Sequence, residues 1–78
     1  MDEYHIDSIY YKGDILIIVI NDQQYYWSLK DISDRLYKAT ESQRNNYVIS
    51  PAGYGIHWPE IDEDLSLKGL LKSQNSIL

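Results

Sequence analysis

Cysteine and phenylalanine are absent from these 78 residues, methionine occurs once and proline twice. Without a thiol the chain has no disulfide, no thiolate metal site and no cysteine nucleophile, which suits a reducing compartment. Basic residues are sparse: seven against twelve acidic ones, for a formal net charge of −5. Phosphate backbones are bound largely through Lys and Arg. Here Lys12, Lys30, Arg35, Lys38, Arg44, Lys68 and Lys72 stand singly, so direct nucleic-acid binding is not expected. Long apolar runs are missing too. The longest, Ile15–Ile20, falls far short of the ~20 residues of a membrane-spanning helix. The opening MDEYH holds neither the basic nor the apolar part of a signal peptide. The expectation is a cytoplasmic protein with no membrane contact.

What is present is tyrosine. Eight tyrosines and two tryptophans make up the aromatic content. A tyrosine can bury its ring and leave its hydroxyl wet, so this usage points to a thin sheet with half-buried faces. A chain of this length buries only about 60–65% of its unfolded surface. It forms one domain, expected over residues 1–72, with a frayed polar tail at 73–78. No repeat, linker or low-complexity segment interrupts it.

Along the chain, residues 3–11 read as a first strand, with Tyr4, Ile6, Ser8 and Tyr10 on one face and His5, Asp7, Ile9 and Tyr11 on the other. Lys12-Gly13-Asp14 is a turn, with glycine supplying the unusual φ. Ile15–Ile20 is rich in β-branched residues and apolar throughout, which marks a central strand needing cover on both faces. Asn21-Asp22-Gln23-Gln24 is the next turn, and Tyr25-Tyr26-Trp27 with Ser28-Leu29 the third strand. Leu29, Ile32, Leu36 and Ala39 recur at helical spacing, with Ser28 or Ser33 as the cap. Thr40-Glu41-Ser42-Gln43 is a capping box opening a second short helix, and Tyr47-Val48-Ile49 is a fourth strand.

The densest stretch is Gly53–Leu71, GYGIHWPEIDEDLSLKGLL. Pro51 sets a turn, and Gly53 and Gly55 permit positive φ on either side of Tyr54. Ile56-His57-Trp58 alternates as a fifth strand that Pro59 ends. Four carboxylates surround Ile61 in the run Glu60–Asp64. Ser66 caps a short helix over Leu67, Leu70 and Leu71, which Gly69 weakens by roughly 1 kcal/mol. The order is β-β-β-α-α-β-β-α: an α+β chain with a small antiparallel or mixed sheet of about five strands, its helices on one face.

Tyr54-Gly55-Ile56-His57-Trp58-Pro59-Glu60-Ile61-Asp62-Glu63-Asp64-Leu65-Ser66, followed by Leu70-Leu71, resembles the closing signature of the short bacterial domain-of-unknown-function family 2442. Upstream the likeness continues through Ser33-Asp34-Arg35-Leu36, Ala39-Thr40 and Gln43-Arg44. The chain departs from the family at Asn21-Asp22-Gln23-Gln24, where a glycine is usual; Asn and Asp tolerate the left-handed region. The resemblance implies a small α+β domain. Some relatives are fused to a helix-turn-helix, and others, encoded beside candidate toxins, are read as antitoxins. It carries over no catalytic residue.

The chemistry open to these residues is limited. The acidic run lacks the glycine and terminal glutamate of an EF-hand loop, so helix capping on a solvated face accounts for it better than a metal. His57 with Asp62 or Asp64 has the composition of an acid–base pair. Strand alternation explains His57 more simply, and no serine lies in a nucleophile motif. No enzyme activity, metal or cofactor is expected. Trp58 is either a core anchor or, with Tyr54, part of an exposed patch. The candidates for an interaction surface are Tyr54, His57, Trp58, Glu60, Asp62 and Asp64. Two function classes follow: an interaction module of antitoxin type, whose partner is a small basic toxin, or the dimerising or sensing half of a transcriptional regulator. The two apolar sets of the central strand add an expected homodimer, through Ile15, Ile17 and Val19 or through Leu16, Ile18 and Ile20.

Overall fold

Ile15–Ile20 is the middle strand (β2) of an antiparallel sheet, between β1 (Ile6–Lys12) and β3 (Gln23–Ser28). A computed structural model of the chain describes residues 5–75. The β1–β2 hairpin closes at Gly13, whose φ of 60° is open to glycine without strain. The β2–β3 loop is shorter than expected: only Asn21 and Asp22 lie outside the strands, and Gln23 and Gln24 belong to β3. Both loop residues have positive φ, 50° and 71°, as a type I′ turn requires. Side chains support the strained backbone. His5 N donates to Asn21 Oδ1 at 2.9 Å and Asp22 N to Asp7 Oδ2 at 3.0 Å.

Strict alternation along β1 does not hold. Ile6 pairs with Ile20 but Ser8 with Val19, so a bulge at Asp7 reverses the parity. Ile6 therefore joins Ile9 and Tyr11 against the core, and Tyr10 stands on the opposite face. The bulge resolves a conflict, since unbroken alternation from Ile9 and Tyr11 would turn Ile6 to water and Asp7 inward.

Three short helices follow instead of two. Ser33, at φ −159° and ψ 105°, splits the expected first helix into α1 (Leu29–Ile32) and α2 (Asp34–Tyr37), and its hydroxyl caps α2 by accepting Leu36 N at 3.1 Å. Ser28 precedes α1 without capping it. Thr40 and Gln43 form the capping box of α3 (Glu41–Asn45), bonding each other's backbone N–H.

The second half corrects the single five-stranded sheet. After β4 (Val48–Ile49) and a 3-10 turn at Pro51–Gly53, β5 (Gly55–Trp58) reverses through residues 59–62 into a sixth strand, β6 (Glu63–Ser66). These make a separate antiparallel sheet in the order β4-β5-β6. Asp62, at φ 53°, provides the left-handed residue that lets the acidic segment fold back. α4 (Leu67–Asn75) closes the described chain, with Ser66 Oγ accepting Gly69 N at 3.0 Å as its cap. A Cβ on Gly69 would stand 2.9 Å from that hydroxyl, so the glycine makes room for the cap. Of the tail expected to fray, residues 73–75 belong to α4 and 76–78 lie outside the described residues.

One core joins the two sheets. Leu16, Ile18, Ile20 and Trp27 come from the first, Ile56 and Trp58 from the second, and Leu29, Leu36, Leu67 and Leu70 from the helices. Leu16, Ile18 and Ile20 are thus interior residues of their own chain and are not available to a dimer. Both buried indoles are satisfied: Trp27 Nε1 donates to Leu70 O at 3.0 Å, and Trp58 Nε1 to Arg44 O at 3.0 Å and Tyr11 Oη at 3.2 Å.

Arg44 gathers the pieces. Its guanidinium donates to Leu36 O at 3.0 Å, Tyr37 O at 3.0 Å, Gly13 O at 3.2 Å and Asp14 Oδ1 at 2.9 Å, and lies 5.8 Å from the centre of the Tyr11 ring. Its carbonyl takes the Tyr11 hydroxyl at 2.8 Å besides the Trp58 indole. With the side chain 13% exposed, losing the charge strands partly buried acceptors. Arg44→Met is expected to lower unfolding stability by about 3 kcal/mol, seen as a fall in the urea midpoint at unchanged slope.

Burial is the main reason the Tyr11 phenol titrates above its usual value of 10.0. The neighbouring Tyr47 adds to the rise, and the Trp58 hydrogen bond and Arg44 charge oppose it. The folded state thus keeps a proton that the unfolded chain releases. Stability from this group is complete below about pH 10 and declines as pH rises through the folded value. Urea unfolding measured from pH 9 upward should show that decline, and Tyr11→Phe should flatten it.

Candidate functional site

Alternation along β5 sends Ile56 and Trp58 into the core and leaves Gly55 and His57 on the outer face of the second sheet. The register sets Ser66 opposite Gly55, Asp64 opposite His57, and Val48 on the other flank of His57. These side chains, with Ser50, line a groove of about 400 Å3. Gly55 leaves its floor open. A Cβ there would lie 3.2 Å from Leu65 O and 3.9 Å from Ser50 Oγ, and Ser50 fixes the strand start by accepting Gly55 N at 2.9 Å. Only Gly53 of the glycine pair takes positive φ, 70°; Gly55 is an ordinary strand residue chosen for space.

One wall is ionisable. His57 Nδ1 and Asp64 Oδ1 are 2.7 Å apart, with the two side chains 42% and 75% exposed. Val48 beside them is 57% exposed. The arrangement presents an apolar surface next to a carboxylate. It pairs His57 with Asp64 and leaves Asp62 elsewhere.

The other residues singled out from sequence scatter. Trp58 is fully buried and so is a core anchor. Tyr54 is exposed, and its carbonyl accepts Leu67 N at 2.9 Å to bring α4 back to β5. Glu60 Oε2 accepts Asn46 Nδ2 at 2.8 Å, and the Asp62 carbonyl accepts Arg35 Nη1 at 2.6 Å. Among the described residues no three His, Asp or Glu side chains converge where a metal ion would sit.

Val48, Ser50, Gly55 and Ser66 were not legible as site residues. Alternation from Ile56 and Trp58 does put Gly55 beside His57. The contribution of β6 was hidden because its carboxylates read as a solvated run.

A second concavity of about 470 Å3 lies between β1 and α3, around Tyr11, Glu41 and Arg44. The outer face of the first sheet carries Tyr10, Ile15 and Tyr26, all exposed. Ile17 lies between Tyr10 and Tyr26 in the register, and is only 4% exposed. Gln24 links those two tyrosines over the sheet, donating to Tyr10 Oη at 3.1 Å and accepting the Tyr26 hydroxyl at 2.6 Å.

A sequence model of the family described as "Protein of unknown function (DUF2442)" matches residues 6–76. The fold is similar to that in a crystal structure of a protein of unknown function from Rhodospirillum rubrum. The TM-score is 0.74 at 25% identity, over 92% of this chain and 89% of that one. No curated protein matches the chain.

An exposed ion pair adds little to stability. Asp64→Asn should therefore shift unfolding free energy by less than about 1 kcal/mol; a loss of 3 kcal/mol or so would mark the pair as structural.

Proposed function

The chain belongs to the DUF2442 family of proteins of unknown function, and from that premise we propose that it is a small protein-interaction module of antitoxin type, engaging another protein through the outer face of the β4-β5-β6 sheet. The observation that carries this reading is the open apolar groove at Val48 and Gly55, flanked by a histidine–carboxylate pair. Exposed apolar surface gathered into a groove with a polar rim is a feature of interaction sites. The net charge of −5 favours a basic partner and speeds its approach. The acidic hairpin 59–64 adjoins the groove through Asp64. Between encounters, two copies meet on the outer face of the first sheet, through Ile15, Val19 and the flanking tyrosines.

The protein encoded by the adjacent gene is the partner to test. Calorimetric titration should give a stoichiometric complex, weakened about tenfold or more by Val48→Asp, which places a charge in the apolar wall. Absence of any complex with that protein, by calorimetry and by co-migration on a sizing column, removes the antitoxin reading.

A further inference from the structure

We propose that the groove accepts an extended segment of the partner carrying an aliphatic residue and, two positions along, a lysine or arginine. The aliphatic side chain sits over Gly55 and the cation meets Asp64. This rests on the interaction reading above and specifies its ligand.

The argument is one of period and charge. Gly55 and His57 lie on the same face of β5, two residues apart, and Ser66 and Asp64 repeat that separation on β6. Side chains two apart on a strand are about 7 Å distant. An extended peptide presents its own alternate side chains at the same interval, so it can match the two halves of the groove in register. The half around Gly55, Ser50 and Ser66 has space without charge. The other half offers Asp64, and among the described residues no lysine or arginine lines the groove to neutralise it. A carboxylate has about four acceptor positions, so the contact to His57 leaves room for an incoming ammonium or guanidinium. An acidic segment would meet like charge at the same point.

Two synthetic pentapeptides blocked at both ends, Ser-Leu-Ser-Lys-Ser and Ser-Leu-Ser-Glu-Ser, provide the test, titrated into the 15N-labelled chain. The lysine peptide should shift the amides of Gly55, His57, Asp64 and Ser66, with affinity near about 1 mM. The glutamate peptide should bind about twofold to fivefold more weakly, the range for an exposed charge pair. Asp64→Asn should bring the two peptides together, and Gly55→Val should abolish both shifts. Because Gly55→Val crowds the Leu65 carbonyl, Asp64→Asn, a surface change, decides the matter should the former unfold. Equal affinities for the native chain, shifts elsewhere, or none up to about 5 mM peptide would overturn the proposal. Sedimentation of the unliganded chain supplies a further arm. Self-association lost on Asp64→Asn would make the occupant a second copy, overturning it too. A complex with the adjacent gene's product that survives both substitutions leaves the interaction reading standing and removes this one.

Discussion

A single guanidinium bonds to stretches of chain that neither sheet nor helix connects. Arg44 reaches the β1–β2 turn at Gly13 and Asp14 and the end of α2 at Leu36 and Tyr37, while its carbonyl holds Tyr11 and Trp58. Two three-stranded sheets of this size have thin cores, and the segment between them is made of single-turn helices with no independent stability. Hydrogen bonds to a charged group are the strong ones. Five donors in a planar fork are therefore well matched to a junction where several backbone carbonyls end together.

The residues carrying the family resemblance meet across the same junction. Ser33 Oγ lies 2.5 Å from Glu63 Oε2, Arg35 holds the carbonyl of Asp62, and Arg44 holds Trp58. Several residues on which the resemblance rests thus tie the central helices to the β5–β6 hairpin. His57, Asp64 and Gly55 stand apart from those ties and face water. The acidic run accordingly divides. Glu60 and Glu63 anchor, Asp62 makes the turn, and Asp64 alone lines the groove.

Local signals in the sequence carried most of the first half. Gly13, the apolar run to Ile20 and the Thr40–Gln43 box each act through neighbours in the chain, and each sits as read. The misreadings arose where distant groups decide. The bulge at Asp7 depends on Asp22 across the hairpin, and the helix break at Ser33 goes with the carboxylate of Glu63, thirty residues on. β6 was invisible because an edge strand with one wet face needs only Leu65 inside; Glu63, Asp64 and Ser66 then look like surface. Arg44 was one scattered base among seven, since nothing adjacent tells a solvated arginine from one that collects four carbonyl and carboxylate partners.

Glu63 bears on growth of the structure beyond one chain. Its two oxygens are engaged differently: Oε2 by the Ser33 hydroxyl, Oε1 by the backbone N–H of Asp64 at 3.0 Å. That N–H would otherwise be on offer to another strand, and the free rim of a sheet is where chains add to one another without limit. The Glu63 carboxylate removes that donor from the β6 edge. A strand arriving along β6 therefore finds its docking point at Asp64 already taken by the chain's own carboxylate.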